Sequence, residues 1–396
     1  MLSYVSHFVN RVFDCYTQEG LRGLIYAAGP KIVRSQAISA AEVPEKDATV
    51  WECGTEAEIK LSSPKNQRLH TQFNDYPSQF QSKKSCIFEL TNCTLIGKNA
   101  AGVHNRMSLI SESTAGRFGP MYVGSHYTIR YAVSPIRRYR NTTQFEYVFP
   151  LISPDPSYYH WMVEFLPKVR LLKKYQMMTG RNPIILIESN PRDFIVESLE
   201  FFGVSSKHIH TWNSEFASVD KLIITTHRPH EFNYDCPSRS NYNPCIRDLQ
   251  WLRTQAQSTL SEDDCTTDDD KRVYISRQSA SRGRRVLNFD VLTQILDEYG
   301  FEIHKLEEYS FDEQIRLCAG ADIIMGPHGA GLLNAIFADD PTMIELFPES
   351  VIKPHFYFLS EMLDIEYRSC VTEAEGNNLV VDTDEMKEII SSSIDS

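Results

Sequence analysis

The chain has 396 residues, 42% of them hydrophobic and 23% charged, which is enough to bury a large core and excludes wholesale disorder. Forty Lys and Arg against 52 Asp and Glu give a formal net charge of −12, so the broadly basic footprint of a nucleic-acid binder is absent. Nine cysteines at irregular positions (15, 53, 86, 93, 236, 245, 265, 318 and 370), with no CxxC pair, form neither a disulfide framework nor a zinc ribbon and point to reduced thiols in a cytoplasmic setting.

In chain order, residues 1–40 read as an amphipathic helical segment. Leu2, Val5, Phe8, Val9, Val12, Phe13 and Tyr16 recur at helical spacing, and Leu21, Leu24, Ile25 and Tyr26 follow Gly20. Arg11, Arg22, Lys31 and Arg34 outnumber Asp14 and Glu19, so residues 1–34 suit a peripheral contact with the cytoplasmic face of a membrane, or packing on their own domain. No stretch reaches the ~20 apolar residues that span a bilayer. Residues 41–150 start irregular and polar. They then hold β-like runs at Cys86–Leu90, Tyr122–Val123, Tyr127–Val133 and Phe145–Ile152, which predict a small antiparallel element.

Residues 151–260 alternate between strand and helix. Tyr158, Met162, Phe165, Val169 and Leu172 trace a helix face. Pro167 removes the hydrogen bond to the Val163 carbonyl and predicts a kink there. Ile184–Ile187 and Leu222–Thr225 read as buried parallel strands, and 246–258 as a helix. Residues 261–270 carry six acids and read as a solvated linker. A second series fills 271–396: strands at Val273–Ile275, Phe301–His304, Ala321–Met325 and Thr342–Leu346, a helix after Asn288, and a capping box at Ser310–Glu313. The class is α/β, with two Rossmann-like domains whose parallel sheets face each other across a cleft, plus the small β-rich N-terminal element.

Four places can carry chemistry. Gly326-Pro-His-Gly-Ala-Gly331 ends a buried strand and opens an apolar helical stretch. The amides of Gly329, Ala330 and Gly331, with His328, suit a phosphate at the carboxyl end of a parallel strand. Lys271–Arg285 holds six basic residues and no acid, and Arg277 falls just past a strand end, where a guanidinium can neutralise a pyrophosphate leaving group. His160 and Glu164 lie one turn apart, as a general base and the group that sets its tautomer, or as a pair that stabilises a helix start. Asp155 stands in the loop before them. Glu345 closes a strand, where a carboxylate can grip ribose hydroxyls or face solvent. No GxGxxG, P-loop or GxSxG motif is present, and neither DxD triplet fits a metal site.

Taken together, Tyr158-Tyr-His-Trp161 with Glu164 and Leu166-Pro167, Tyr274-Ile-Ser-Arg277 followed by Arg284-Arg-Val-Leu-Asn288, Gly326-Pro-His-Gly-Ala-Gly-Leu332 with Asn334, and Ile344-Glu-Leu-Phe-Pro348 resemble glycosyltransferase family 61. The resemblance covers about residues 90–370. It implies a GT-B-like fold, no required metal or other cofactor, and inverting transfer of a hexose or pentose. The donor is a nucleotide sugar, a UDP-sugar foremost, and the acceptor a glycan, a lipid-linked oligosaccharide or a glycoprotein. On that basis Arg277, Arg285, His328, Gly329, Ala330, Gly331 and Glu345 hold the donor. His160, Glu164 or Asp155 activates the acceptor, and domain closure joins the halves. A non-catalytic binding protein for sugar nucleotides or polysaccharide, or a sugar-phosphate-processing enzyme, is the alternative on the same fold.

Overall fold

The computed structural model describes residues 37–54, 57–62, 75–82, 84–105, 108–113, 143–153, 157–214, 216–227, 230–231, 241–242, 245–260, 271–280 and 283–394, together with Leu69 and Phe73. The N-terminal helical segment (1–34), Asp155, Arg282, the runs at 122–133 and the acidic linker 261–270 lie outside these residues.

The fold is mixed α/β, with two large sheets that both contain parallel strands. The first is organised around one long strand, Phe216–Thr225. One edge of it pairs in parallel with Thr143–Pro150, which continues in parallel to Ile184–Ile187 and then Ile209–Thr211. The other edge pairs antiparallel with Cys93–Ile96 along its first half and with Cys86–Leu90 along its second. The β-rich N-terminal region is thus hydrogen-bonded into the same ten-stranded sheet. Thr143–Pro150, expected within an antiparallel element, is one of its parallel members. Alternating charge and aromatic residues at its start leave its first half exposed, so its sequence lacks the continuous apolar run of a buried parallel strand.

The second sheet runs in the order Phe301–His304, Arg272–Ile275, Ile323–Pro327, Thr342–Pro348, Glu366–Glu375 and Asn378–Val380. The first five are parallel and the last is antiparallel. Ile323–Pro327 and Thr342–Pro348 are buried at every position, because helices or sheet neighbours cover both faces. Each runs two residues further than the apolar pattern predicted, and that extension relocates two of the site residues. In chain order the strands read 2-1-3-4-5-6, so the direction of progress reverses between Arg272–Ile275 and Ile323–Pro327. A crevice forms at such a switch point, outside the carboxyl ends of the strands.

Pro167 falls in a turn between two helical elements. A short helix at Tyr158–His160 passes into a π-helical turn over Trp161–Phe165, in which Leu166 N–H reaches the Trp161 carbonyl at 2.8 Å, and an α-helix resumes at Lys168–Thr179. Widening the turn by one residue absorbs the missing donor of the proline. The expected capping box is present: Ser310 Oγ accepts from the Glu313 amide, and the Glu313 carboxylate accepts from the Ser310 amide at 2.8 Å. Asn288 begins its helix, but its side chain bridges the Val381 backbone, accepting from N–H and donating to C=O.

The largest hydrophobic cluster belongs to both sheets. Val169, Leu172, Ile185 and Leu199 join Val273, Ile324, Leu333 and Phe337 in it. Phe201 and Phe202 meet Phe311 edge-on at 5.6 and 6.2 Å, and Arg253 Nε donates to the Ile336 carbonyl at 2.7 Å. A continuous apolar seam therefore fixes one half against the other.

Candidate active site

The switch point of the second sheet opens into a cleft of about 230 Å³. Its floor and one wall come from Ile275, Ser276, Arg277, Ala280, Leu306, Glu307, Gln314, Pro327, Gly329, Ala330 and Gly331. Tyr158 and Phe194, in edge-on contact at 5.2 Å, close it from the side of the first sheet. Glycine is required on this floor for space. A Cβ at Gly326 would stand 2.7 Å from the Ile275 carbonyl oxygen, and one at Gly329 would run into the Arg277 guanidinium. The stretch after Gly329 is a 3-10 helix, Ala330–Phe337, in place of the expected α-helix, with Leu332 N–H donating to the Gly329 carbonyl at 3.0 Å.

Arg277 lies across Gly329, and its Nε is buried without a hydrogen-bond partner. Burial, reinforced by the neighbouring Arg284 and opposed by Glu307, pushes its guanidinium down to about 10. Arg284 has a left-handed backbone (φ 63°), as does Gly283 before it (φ 72°), and its amide donates to the Asn377 carbonyl at 2.8 Å. Its charge acts on Arg277, His328, Glu345 and Lys353 alike. The Lys353 ammonium is lowered by burial and by Arg284. Cations crowded together and partly desolvated are unstable by themselves and favourable only around an anion.

His328 takes its place behind this cluster. Its ring is 6% exposed, stacks on Phe347 at 5.4 Å and does not line the cleft. Its Nδ1 is hydrogen-bonded to Glu345 Oε1, and Tyr367 OH donates to Glu345 Oε2 at 2.6 Å. Burial, with Arg284, Lys353 and Arg277 nearby, holds the imidazole well below its ordinary range. Burial likewise raises the Glu345 carboxyl well above its own. Both directions fit a neutral pair in which Glu345 donates its proton to Nδ1 and His328 keeps N–H at Nε2.

The ribose contact expected of Glu345 is not what the geometry offers. Its strand continues to Pro348, so Glu345 lies mid-strand between Gly326 and Ser369, fully buried, with both oxygens occupied. Arg285 also differs from expectation: its exposed guanidinium donates to the Ala280 carbonyl at 2.9 and 3.0 Å, and Arg284 beside it faces the cluster. Gly329, Ala330 and Gly331 are on the cleft wall.

On the other side, His160 Nδ1 and Glu164 Oε1 are 2.8 Å apart, the imidazole 32% exposed and the carboxylate buried. Lys168 follows Glu164 by one turn. Burial pushes its ammonium down to about 8, with Glu164 pulling upward. Tyr158, two residues before His160, donates to Asn334 Oδ1 at 2.5 Å. Asn334 Nδ2 donates to Gln314 Oε1 at 3.0 Å, and Gln314 Nε2 to the Leu306 and Tyr309 carbonyls. A row of rings also links the two sides: His160 to Tyr159 (5.7 Å), Tyr159 to His355 (5.0 Å) and His355 to His328 (5.8 Å). Sequence reasoning missed the cleft-lining roles of Tyr158, Phe194 and Glu307 and the charges of Arg284 and Lys353. Only Tyr158 and Arg284 carried a signal, as members of segments already singled out.

The family model described as Glycosyltransferase 61 matches residues 158–344, from the tyrosine that closes the cleft to the strand that holds Glu345. A stretch of 161 residues is also 26% identical to an alpha-1,3-arabinosyltransferase, XAT3, of Oryza sativa subsp. japonica, covering 38% of this chain and 26% of that protein. The chain thus spans about a quarter of the length of the curated relative it matches. Both matches show a likeness to glycosyltransferases, the first over the segment that builds the cleft.

Proposed function

We propose that this protein is an inverting, metal-independent glycosyltransferase with two facing lobes of the GT-B kind. It moves a hexose or pentose from a nucleotide sugar, a UDP-sugar foremost, to a glycan, lipid-linked or glycoprotein acceptor, at the cytoplasmic face of a membrane that residues 1–34 contact. The observation that carries the reading is the Arg277 guanidinium, partly desolvated and unpartnered at Nε, lying over Gly329 at the switch point of a parallel sheet. Arg277, Arg284 and Lys353 supply the positive charge that a departing diphosphate needs, and the Gly329–Gly331 backbone lets the phosphates approach. Glu345 acts one step back, fixing the tautomer of His328. The acceptor hydroxyl attacks the anomeric carbon from the face opposite the diphosphate. Its proton passes to His160 Nε2, the carbon–oxygen bond to the donor forms, the bond to the phosphate oxygen breaks, and the nucleoside diphosphate leaves. Glu164 holds His160 Nδ1–H and steadies the imidazolium.

The test is a screen of UDP-, GDP- and CMP-sugars for transfer and hydrolysis, with and without chelator, on the wild type and Arg277→Ala. The reading expects turnover of one donor, unchanged by chelator, and a loss of about 10²-fold or more in the variant at unchanged melting temperature. Turnover in the variant within about threefold of the wild type removes Arg277 from the reaction.

A further inference from the structure

We propose that Glu307 reads the ribose hydroxyls of a ribonucleoside diphosphate bound in the cleft, the part that its position in the sequence pattern assigned to Glu345. This rests on the donor reading above and adds the moiety recognised and the residue that recognises it.

Arg272–Ile275, the helix Phe289–Glu298 and Phe301–His304 form a parallel strand–helix–strand unit, and the two strands are neighbours with Ile275 opposite His304. In nucleotide-binding units of this kind the phosphates sit beyond the first strand, and an acid beyond the second takes the ribose. Here Arg277 follows the first strand, and Glu307 follows the second within a 3-10 turn at Leu306–Glu308. Both line the same cleft, and their charges act on each other. Glu307 is the only carboxylate among the described residues that line the cleft. Gln314, the remaining side-chain amide there, already spends its groups on Asn334, Leu306 and Tyr309. Glu307 is exposed, and Ser279 Oγ donates to its Oε1, which orients the carboxylate and leaves Oε2 available to a hydroxyl. The apolar groups beside it (Ile275, Leu306, Ala330) offer a surface for the sugar and base.

The test is equilibrium binding of UDP, GDP and CDP, each with its 2′-deoxy and 3′-deoxy form, to wild type, Glu307→Gln and Glu307→Ala, with melting temperature recorded for each. In the wild type, the nucleotide that binds should lose about tenfold or more in affinity when a ribose hydroxyl is removed. Both variants should bind the ribo and deoxy forms alike, at the weaker level. Equal affinity of ribo and deoxy forms in the wild type overturns the proposal, as does discrimination that survives in both variants. Tighter binding of every form by Glu307→Ala identifies a mere counter-charge to Arg277 and also overturns it. If none of the three ribonucleotides binds the wild type, the donor reading itself fails and takes this inference with it.

Discussion

Arg277 and Gly329 occupy adjoining space so closely that the glycine exists to make room for the guanidinium. Gly329 has an extended backbone that any residue can adopt, so the requirement is one of volume. A methyl at 329 meets the far end of a flexible side chain, which can swing away. A methyl at 326 meets the Ile275 backbone, which cannot. Gly329→Ala is therefore expected to behave like Arg277→Ala in nucleotide binding while losing less than about 1 kcal/mol of stability. Gly326→Ala should cost about 1–3 kcal/mol by denaturant titration. Equal stability losses in the two variants would contradict this division.

The His160–Glu164 pair makes a kinetic prediction. His160→Ala should lower turnover by about 10²- to 10⁴-fold with nucleotide affinity unchanged, and should also cost about 1–3 kcal/mol of stability, because the buried Glu164 carboxylate loses this partner and Tyr159 an edge-on neighbour. Glu164→Gln keeps an acceptor for Nδ1–H and loses the charge, so it should retain more turnover than His160→Ala and shift the acid limb of the pH–rate profile. Near-normal turnover in His160→Ala would assign the base elsewhere.

The buried His328–Glu345 pair makes a pH prediction. Glu345 has its folded value raised, so the folded state loses stability as pH climbs above the ordinary 4.5 toward that raised value. His328 has its value lowered, so stability is lost as pH falls below 6.5. Glu345→Gln imitates the protonated carboxyl: its amide donates to Nδ1, and its oxygen accepts from Tyr367. Urea titrations should show it close to wild type near pH 5 and gaining about 1 kcal/mol or more over wild type by pH 8. A variant less stable than wild type across that whole range means the carboxyl is ionised in the fold.

Tyr158→Phe removes one hydroxyl and leaves Asn334 Oδ1 buried with its partner gone. The cost should be about 1–3 kcal/mol, read from the denaturation midpoint. Turnover should fall as well, because the helix that presents His160 begins at Tyr158. A loss below about 0.5 kcal/mol would show that the bond is not a significant tie between the halves.

Part of the second sheet was legible because Val273–Ile275 and Ile323–Met325 are continuous apolar runs, whereas Glu366–Glu375, polar along most of its length, carried no such signal. Phe301–His304, where apolar and polar residues alternate, emerged with its predicted bounds. So did the capping box at Ser310 and the His160–Glu164 contact, both of which depend only on local spacing. The errors arose where the answer depended on partners distant in sequence. Glu345 looked terminal until its strand was seen to continue between two neighbours to Pro348. Arg284 and Arg285 are indistinguishable as letters. The contact of Arg284 N–H with Asn377, at a left-handed turn, decides which one faces the cluster. Thr143–Pro150 became a parallel strand because Phe216–Thr225 accepts it along one edge, which no local pattern announces.

The hydrogen bond from Tyr158 to Asn334, set over a core common to both sheets, bears on how substrates arrive. A partly buried bond beside the cleft ties the two sides together, so the width of the gap is set in advance. Any molecule that enters between Phe194 and Leu306 would then have to fit a space set before it arrives.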